Sequence, residues 1–539
     1  MAGTAGCRPN VCRFPHVGPR TTIEPPPSGN TPASRSPHEQ LADDQGYAAV
    51  SAMRKDYPGL NSNISTPRID NLMATGIRFT NFYANAECSV SRGALMTGKH
   101  SGHATIRGNN GGYLKPNDPT FFQTLQQFGY TTYCQGKWHV NDRSTTFASN
   151  PDSAPWQKGC ERFYGGENSG WRYPTSNVYR YTPENGLKNN KFPQNEGATR
   201  DSCMAAGNQC VWLSDLLLND ALAELQDQAD RQAAERAAGQ VPAPFFIYLA
   251  WSDPHSGNWQ TGDAAPVGNP VPSDGKFAAE TTWPDIMKDH AASITVYLDQ
   301  YVGRVVNKLS TLGLLDSTVV IYASDNGPAF TNGNPAEFFQ AAGKFQGYKL
   351  SIQEGGIRVP FSVSWKGKIA AKARTDEPAA IWDLAPTILD MARIPKASWP
   401  TGMDGVSIWS GILQQPPLAD KQQVVAAPTF VHPPLYWERC ITSSKERPAF
   451  ATERKGPAFS RAVREGKWKG VQMFAGGEFS KFLLYNLYKD VGETDDVAVL
   501  NPGPSKRLKG YLTSLRTDAA NGFQYPATDD CSTIYGAPI

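Results

Sequence analysis

Four oxygen-bearing side chains, in two short runs, could hold a cation together. Asp43-Asp44 follows Leu41-Ala42, and Asp325-Asn326 follows the apolar run Thr318–Ala323. They are hard donors with no sulfur or imidazole among them, a set that suits Ca²⁺ or Mg²⁺ rather than Zn²⁺. Each run alone is also a common turn sequence. Cys88 is followed four residues later by Arg92. A helix-like run begins just after the cysteine, and the N–H groups of a helix start favour an anion beside it. Arg92 adds a fixed cation with a fork suited to tetrahedral oxyanions. An isolated cysteine is otherwise a small buried apolar group. Lys137, His139 and His255 come just after strand-like runs, and Lys349 lies in Gly347-Tyr348-Lys349. Taken singly, each reads as an ordinary structural or solvated side chain.

The elements around these residues alternate. Asp118 as N-cap and Pro119 at the first helical position open a helix. Phe121, Phe122, Leu125 and Phe128 fall on its face, and Gly129 ends it. Thr131–Cys134 is a short strand leading into Gly136-Lys137-Trp138-His139. A second helix covers about 212–238. Pro244–Trp251 is continuously apolar, as in a strand buried on both faces, and ends in Ser252-Asp253-Pro254-His255. A third helix covers about 293–312, and Thr318–Ala323 is the next buried strand. This pattern predicts an α/β fold, a large and mostly parallel sheet flanked by helices. In such sheets ligands bind beyond the carboxyl ends of the strands, where the polar residues above recur. Past Leu413 the alternation weakens, which predicts a smaller α+β C-terminal domain. The expected division is a leader at 1–40, a catalytic domain at 41–413 and a C-terminal subdomain at 414–539. The Glu354–Pro360 stretch reads as a tight turn into a strand.

Composition narrows the function. The 539 residues carry 52 Lys plus Arg against 50 Asp plus Glu, a formal charge of +2. That balance argues against a dedicated nucleic-acid binder. The longest apolar stretch, near Phe245–Trp251, is far short of a membrane span. Nine cysteines leave at least one outside any intramolecular disulfide.

The motifs then share an order. Leu-Ala-Asp-Asp-Gln-Gly-Tyr stands at 41–47 and Cys-Ser-Val-Ser-Arg-Gly-Ala-Leu-Met-Thr-Gly at 88–98. Gly-Lys-Trp-His follows at 136–139, Ser-Asp-Asn-Gly at 324–327 and Glu-Gly-Gly-Ile-Arg-Val-Pro at 354–360. Arg-Ala-Val-Arg-Glu-Gly-Lys-Trp-Lys closes the series at 461–469. From Leu41 to about Leu500 the chain resembles a type I sulfatase, arylsulfatase-like and formylglycine-dependent, of the alkaline phosphatase superfamily. The resemblance implies a sulfuric ester hydrolase acting on an aryl sulfate or a sulfated carbohydrate. Cys88 would be oxidised to formylglycine by the formylglycine-generating enzyme. Its hydrated aldehyde would attack sulfur, and the second hydroxyl would let sulfate be eliminated. Asp43, Asp44, Asp325 and Asn326 would hold one divalent cation, Ca²⁺ in the first place and Mg²⁺ as the alternative. Arg92 and Lys137 would neutralise the transferring group, and His139 would hold the formylglycine hydrate. His255 and Lys349 would flank the ester oxygen, with His255 the better general acid. His103 and Arg107 could reach substrate or brace their loop, and the residues leave that open.

The sequence departs from the family in two places. Val90 stands where the modification signal Cys-x-Pro-x-Arg has proline. Upstream, Ser34–Gln40 replaces the apolar strand expected before Asp43, and its polar residues and Pro37 predict that no buried strand forms there. With no apolar signal segment visible either, residues 1–40 read as a disordered or mis-predicted leader. Two alternatives therefore stay open: a phosphate or phosphonate ester hydrolase of the same superfamily, and a catalytically silent sulfatase-like protein. The family works in lysosomal, secreted or periplasmic settings, and Asn63-Ile64-Ser65 is a glycosylation sequon. Cys203 and Cys210 are close enough for a local bridge, and Cys440 with Cys531 could staple the C-terminal part. Cys134 reads as a buried free thiol.

Overall fold

A computed structural model describes residues 36–517, apart from 61, 110–111, 142–145, 168–171, 175, 198–199, 206–208, 258–268, 331–333, 414–431, 442–457, 476–477 and 480. Ten strands form the main sheet. In chain order they are β1 (Ser36–Ala42), β2 (Ile77–Phe79), β3 (Thr131–Lys137), β4 (Arg162–Gly166) and β5 (Val178–Thr182). They continue as β6 (Gly186–Asn190), β7 (Phe245–Ala250), β8 (Thr318–Ser324), β9 (Phe361–Ser364) and β10 (Ala373–Thr375). The spatial order is β10-β2-β9-β8-β1-β7-β3-β4-β5-β6. From β8 through β1, β7 and β3 to β4 every pairing is parallel. Antiparallel strands lie outside that centre. The expected α/β class with a mostly parallel sheet is what the chain forms.

Strand periodicity explains why the centre is apolar throughout. Alternate residues of a strand point to opposite faces. Phe246, Tyr248 and Ala250 of β7 join one hydrophobic cluster, while Phe245, Ile247 and Leu249 join the other. Val319, Ile321 and Ala323 of β8 divide from Val320 and Tyr322 in the same way. Both faces are covered, so the run cannot alternate with polar residues. A smaller antiparallel sheet follows: β11 (Leu435–Ile441), β12 (Ala458–Glu465), β13 (Trp468–Ala475), β14 (Glu478–Phe479) and β15 (Leu483–Asn486). The helix Pro502–Ser514 packs on it through Leu508 and Leu512.

Four local expectations are corrected. The helix at 121 is capped by Thr120, whose side chain accepts from Gln123 N–H while Gln123 reciprocates, and not by Asp118. β3 runs on to Lys137 rather than ending at Cys134. The third helix begins earlier, at Asp285, and continues through a π-type segment at Ser293–Leu298 to Thr311. Cys134 is no free thiol: it is bonded to Cys160, 26 residues away. Cys160 leads into β4, which lies parallel against β3, and only that adjacency brings the two sulfurs together. Cys203–Cys210 forms the local bridge expected. Cys531 lies outside the described residues, and no helix among those described is long and apolar enough to cross a membrane.

The largest correction is β1. Ser36–Ala42 is buried along its whole length and pairs in parallel with both β7 and β8. Main-chain groups make a ladder, so polar side chains do not forbid it, and Pro37 sits near the entry of the strand. The cost appears in the side chains. Both His38 nitrogens and both Glu39 carboxyl oxygens are buried without a hydrogen-bond partner, at about 1–3 kcal/mol for each such group. Burial pushes His38 down to about 3, so it stays neutral. Burial also pushes Glu39 up to about 8, with Arg92 only partly offsetting it.

Unfolding therefore releases the Glu39 proton between its ordinary 4.5 and about 8. Its contribution to stability is complete below that window and is lost as pH rises through it. Glu39→Gln should gain roughly 3–5 kcal/mol on the native chain between pH 4.5 and pH 8, read from denaturant midpoints. The same stability difference at both pH values would contradict a buried, protonated Glu39.

Candidate active site

The carboxyl ends of β1, β3, β7 and β8 meet at one edge of the parallel centre, and their following residues face one another. Asp43 N–H donates to Asp253 O at 3.0 Å, and Asp325 N–H to Ala42 O at 3.1 Å. The turns after β1, β7 and β8 are thus tied by backbone bonds. Asp44 has a left-handed φ of 65°, which turns its main chain so that its N–H donates to Asp325 Oδ1 at 3.1 Å. Asn326 Nδ2 donates to Asp44 Oδ1 at 2.7 Å. The four expected oxygen donors are therefore one cluster.

Cys88 is the first residue of the helix Cys88–Thr97, which Gly98 ends in a left-handed conformation. The thiol lies 3.5 Å from Asp43 Oδ1 and 3.9 Å from Asp44 Oδ1. Arg92 is one helical turn further on and so projects on the same side. Its guanidinium donates to Asp325 Oδ2 at 2.8 and 3.2 Å, to Lys137 O at 2.8 Å and to Tyr248 OH at 3.1 Å. Lys137 Nζ is 2.7 Å from Asp43 Oδ2, and Lys349 Nζ is 2.6 Å from Asp44 Oδ1. His255 Nε2 is 3.7 Å from Asp44 Oδ2, and its Nδ1 faces Ser256 O. His139 is buried beyond the end of β3, with a φ of 56° and its N–H donating to Glu167 O at 2.8 Å.

The Lys349 segment is held close by glycines. A Cβ on Gly327 would stand 1.9 Å from Gly355 O, and one on Gly356 would stand 2.0 Å from Ser351 O. The turn expected at Glu354–Pro360 is a single helical turn, Glu354–Ile357, entering β9. His103 and Arg107 brace their loop. His103 Nδ1 is 2.7 Å from Asp404 Oδ1, and Arg107 donates to Glu438, Ala104 O and Thr517 O.

Three carboxylates and three fixed cations are sealed together here. Burial opposes ionisation of Asp43, but Lys137, His255, Arg92 and Lys349 more than offset it and hold the carboxyl well below its usual range. Asp44 is lowered in the same way by Lys349 and His255. Burial and the neighbouring Asp43 push Asp325 up to about 6. Burial, and then Asp325, drives the Cys88 thiol far above the range in which it would be a thiolate. Burial, aided by Lys349, takes His255 down to about 4. Asp44 Oδ2 and Asn326 Oδ1 are buried without a hydrogen-bond partner. Crowded carboxylates with bare oxygens, and no soft donor except the thiol, fit a hard divalent cation.

A sulfatase family model matches residues 41–394. The chain belongs to the sulfatase family. It is 29% identical over 493 residues to an uncharacterised sulfatase, YdeN, of Escherichia coli K12, covering 83% of this chain and 76% of that one. It is 27% identical over 502 residues to arylsulfatase A of Homo sapiens, covering 90% and 88%. Among solved structures, Ps i-CgsB in complex with k-i-k-neocarrahexaose superposes with a TM-score of 0.67 at 22% identity, covering 94% of this chain and 98% of the other, which shows the shared fold. The enzyme is a sulfatase, and the large parallel sheet with its small antiparallel companion is the fold its structural neighbours share.

Sequence reasoning missed the residues that aim this sulfatase cluster. Asp253 is buried and accepts from Ser293, Ser214 and Arg172. Arg439 of β11 donates through Nε to Glu87 Oε1 at 2.7 Å, and through Nη1 to Leu350 O. Glu87 directly precedes the Cys88 helix and Leu350 follows Lys349, so one guanidinium ties the two segments. Arg439 and Glu87 are 352 residues apart, and nothing in spacing could reveal them. Arg439→Ala should lower kcat on 4-nitrophenyl sulfate on the order of 10- to 100-fold through loosened positioning. An unchanged kcat in the folded variant would show that the tie does not serve the site.

Proposed function

We propose that the enzyme hydrolyses sulfate monoesters through a formylglycine at position 88, with one divalent cation, Ca²⁺ in preference to Mg²⁺. The observation that carries this is the setting of Cys88. As a thiol it is buried, protonated and ringed by carboxylates, a poor nucleophile. Oxidised to formylglycine, the same position supplies a hydrated aldehyde as the nucleophile toward sulfur. Asp43, Asp44, Asp325 and Asn326 are the residues that would hold the cation, which supplies Lewis-acid stabilisation of the sulfate oxygens.

The chain's own residues do the rest. Arg92 and Lys137, immobilised by Asp325 and Asp43, present preorganised positive charge to the transferring group. His139 steadies the nucleophile. His255 directs Nε2 into the site because its Nδ1 faces a backbone carbonyl; in the imidazolium form, which the negative charge of a bound sulfate ester would favour, Nε2 would protonate the leaving ester oxygen. Lys349 stands on the same side and offsets charge on that oxygen. The substrate is an aryl sulfate or a sulfated carbohydrate. Val90, which stands where the modification signal has proline, packs in the apolar core. The disulfides Cys134–Cys160 and Cys203–Cys210 support an oxidising compartment, hence a secreted, lysosomal or periplasmic enzyme. The catalytic part ends near Leu413, and the C-terminal subdomain buttresses it.

Mass spectrometry of the Phe79–Arg92 tryptic peptide from natively expressed enzyme tests the reading. It should show formylglycine at position 88, and Cys88→Ala should reduce sulfate-ester turnover to background. Unmodified cysteine in active enzyme, or full turnover by Cys88→Ala, would overturn it.

A further inference from the structure

The members of the site differ in exposure. Arg92, Asp43, Lys137 and Asp44 are 0–2% exposed at their side chains, whereas Lys349 is 10% and His255 22% exposed. The pocket therefore opens on the side of His255 and Lys349, and the organic part of the ester must leave the sealed sulfate site past them. Tyr348 directly precedes Lys349 and is part-exposed. Phe330, 65% exposed, meets it with ring centroids 5.5 Å apart and planes at 55°. Phe330 follows Asn326 by four residues, within roughly 14 Å of chain. Its segment is pinned to the Lys349 segment by Lys349 N–H donating to Pro328 O at 2.9 Å.

The exposed Phe330 ring, seated against Tyr348 on a segment tied to that of Lys349, is an apolar surface that a ligand emerging past Lys349 can cover. The charged groups inside the pocket would recognise sulfate; this pair offers an apolar surface on the segments that carry Lys349 and follow Asn326. An exposed aromatic pair matches the apolar C–H face of a pyranose ring.

Resting on the sulfatase reading above, we propose that Phe330 and Tyr348 form a saccharide subsite that takes the pyranose ring adjoining the sulfated unit of a sulfated oligosaccharide. The full-length enzyme would be assayed on sulfated galactan and glycosaminoglycan tetrasaccharides and on 4-nitrophenyl sulfate. For the saccharide turned over best, Phe330→Ala should raise KM with little change in kcat. The ratio of its kcat/KM to that for the aryl ester should fall on the order of tenfold, and Phe330→Tyr should restore it. An unchanged ratio would overturn the subsite. So would an equal loss on both substrates, which would mark the pair as an aryl contact or a structural support. Turnover of the aryl ester by the native enzyme with none of the saccharides would also overturn the subsite while leaving the sulfatase reading intact. Turnover of neither substrate by enzyme carrying formylglycine would instead overturn the reading beneath it.

Discussion

Everything in the site depends on burying several carboxylates against one another at the end of a parallel sheet. Asp43, Asp44 and Asp325 come from the ends of β1 and β8, and their side chains are sealed from water. Isolated buried carboxylates would take up protons. Here Lys137, Arg92 and Lys349 each stand against one of them, and that pairing keeps Asp43 and Asp44 ionised. Asp325, penalised first by burial and then by Asp43, rises to about 6 even with Arg92 against it. The imbalance is what a cation at the four oxygen donors would relieve. The same charges that balance the carboxylates would meet the oxygens of a sulfate group.

The arrangement needs support from distant parts of the chain. The Cys88 helix and the Lys349 segment come from different regions and must be held to within fractions of an ångström. β11 supplies much of that support. Trp437 Nε1 donates to Ala84 O at 2.8 Å, Glu438 N–H to Ser101 Oγ at 2.9 Å, and Arg439 to Glu87 and Leu350. Lys469 of β13 lies 2.9 Å from both Glu354 and Glu493, which locks the turn behind Lys349. The small antiparallel sheet is therefore a buttress of the site, and the signature at 461–469 owes its buried lysine to that task.

Legibility in the sequence followed locality. β7 and β8 announce themselves as apolar runs, and the polar residues after them stand where an α/β sheet binds ligands. Cys88 and Arg92 were readable because one helical turn separates them. β1 was not readable, because His38 and Glu39 contradict its burial and only the flanking ladders of β7 and β8 impose the strand. Cys134–Cys160 was missed because the pairing comes from strand adjacency. Arg439 and Asp253 were missed because their partners are distant in sequence. Where a local preference and a tertiary ladder disagreed, the ladder prevailed.

The central claim is that the four oxygen donors at the ends of β1 and β8 form a single cation site and are not merely partners of the surrounding lysines and arginine. Calorimetric titration of Ca²⁺ into chelator-stripped enzyme tests this directly. The account predicts one Ca²⁺ per native chain and its loss in Asp44→Asn. Absence of binding by the native chain, or undiminished binding by the variant, would contradict it.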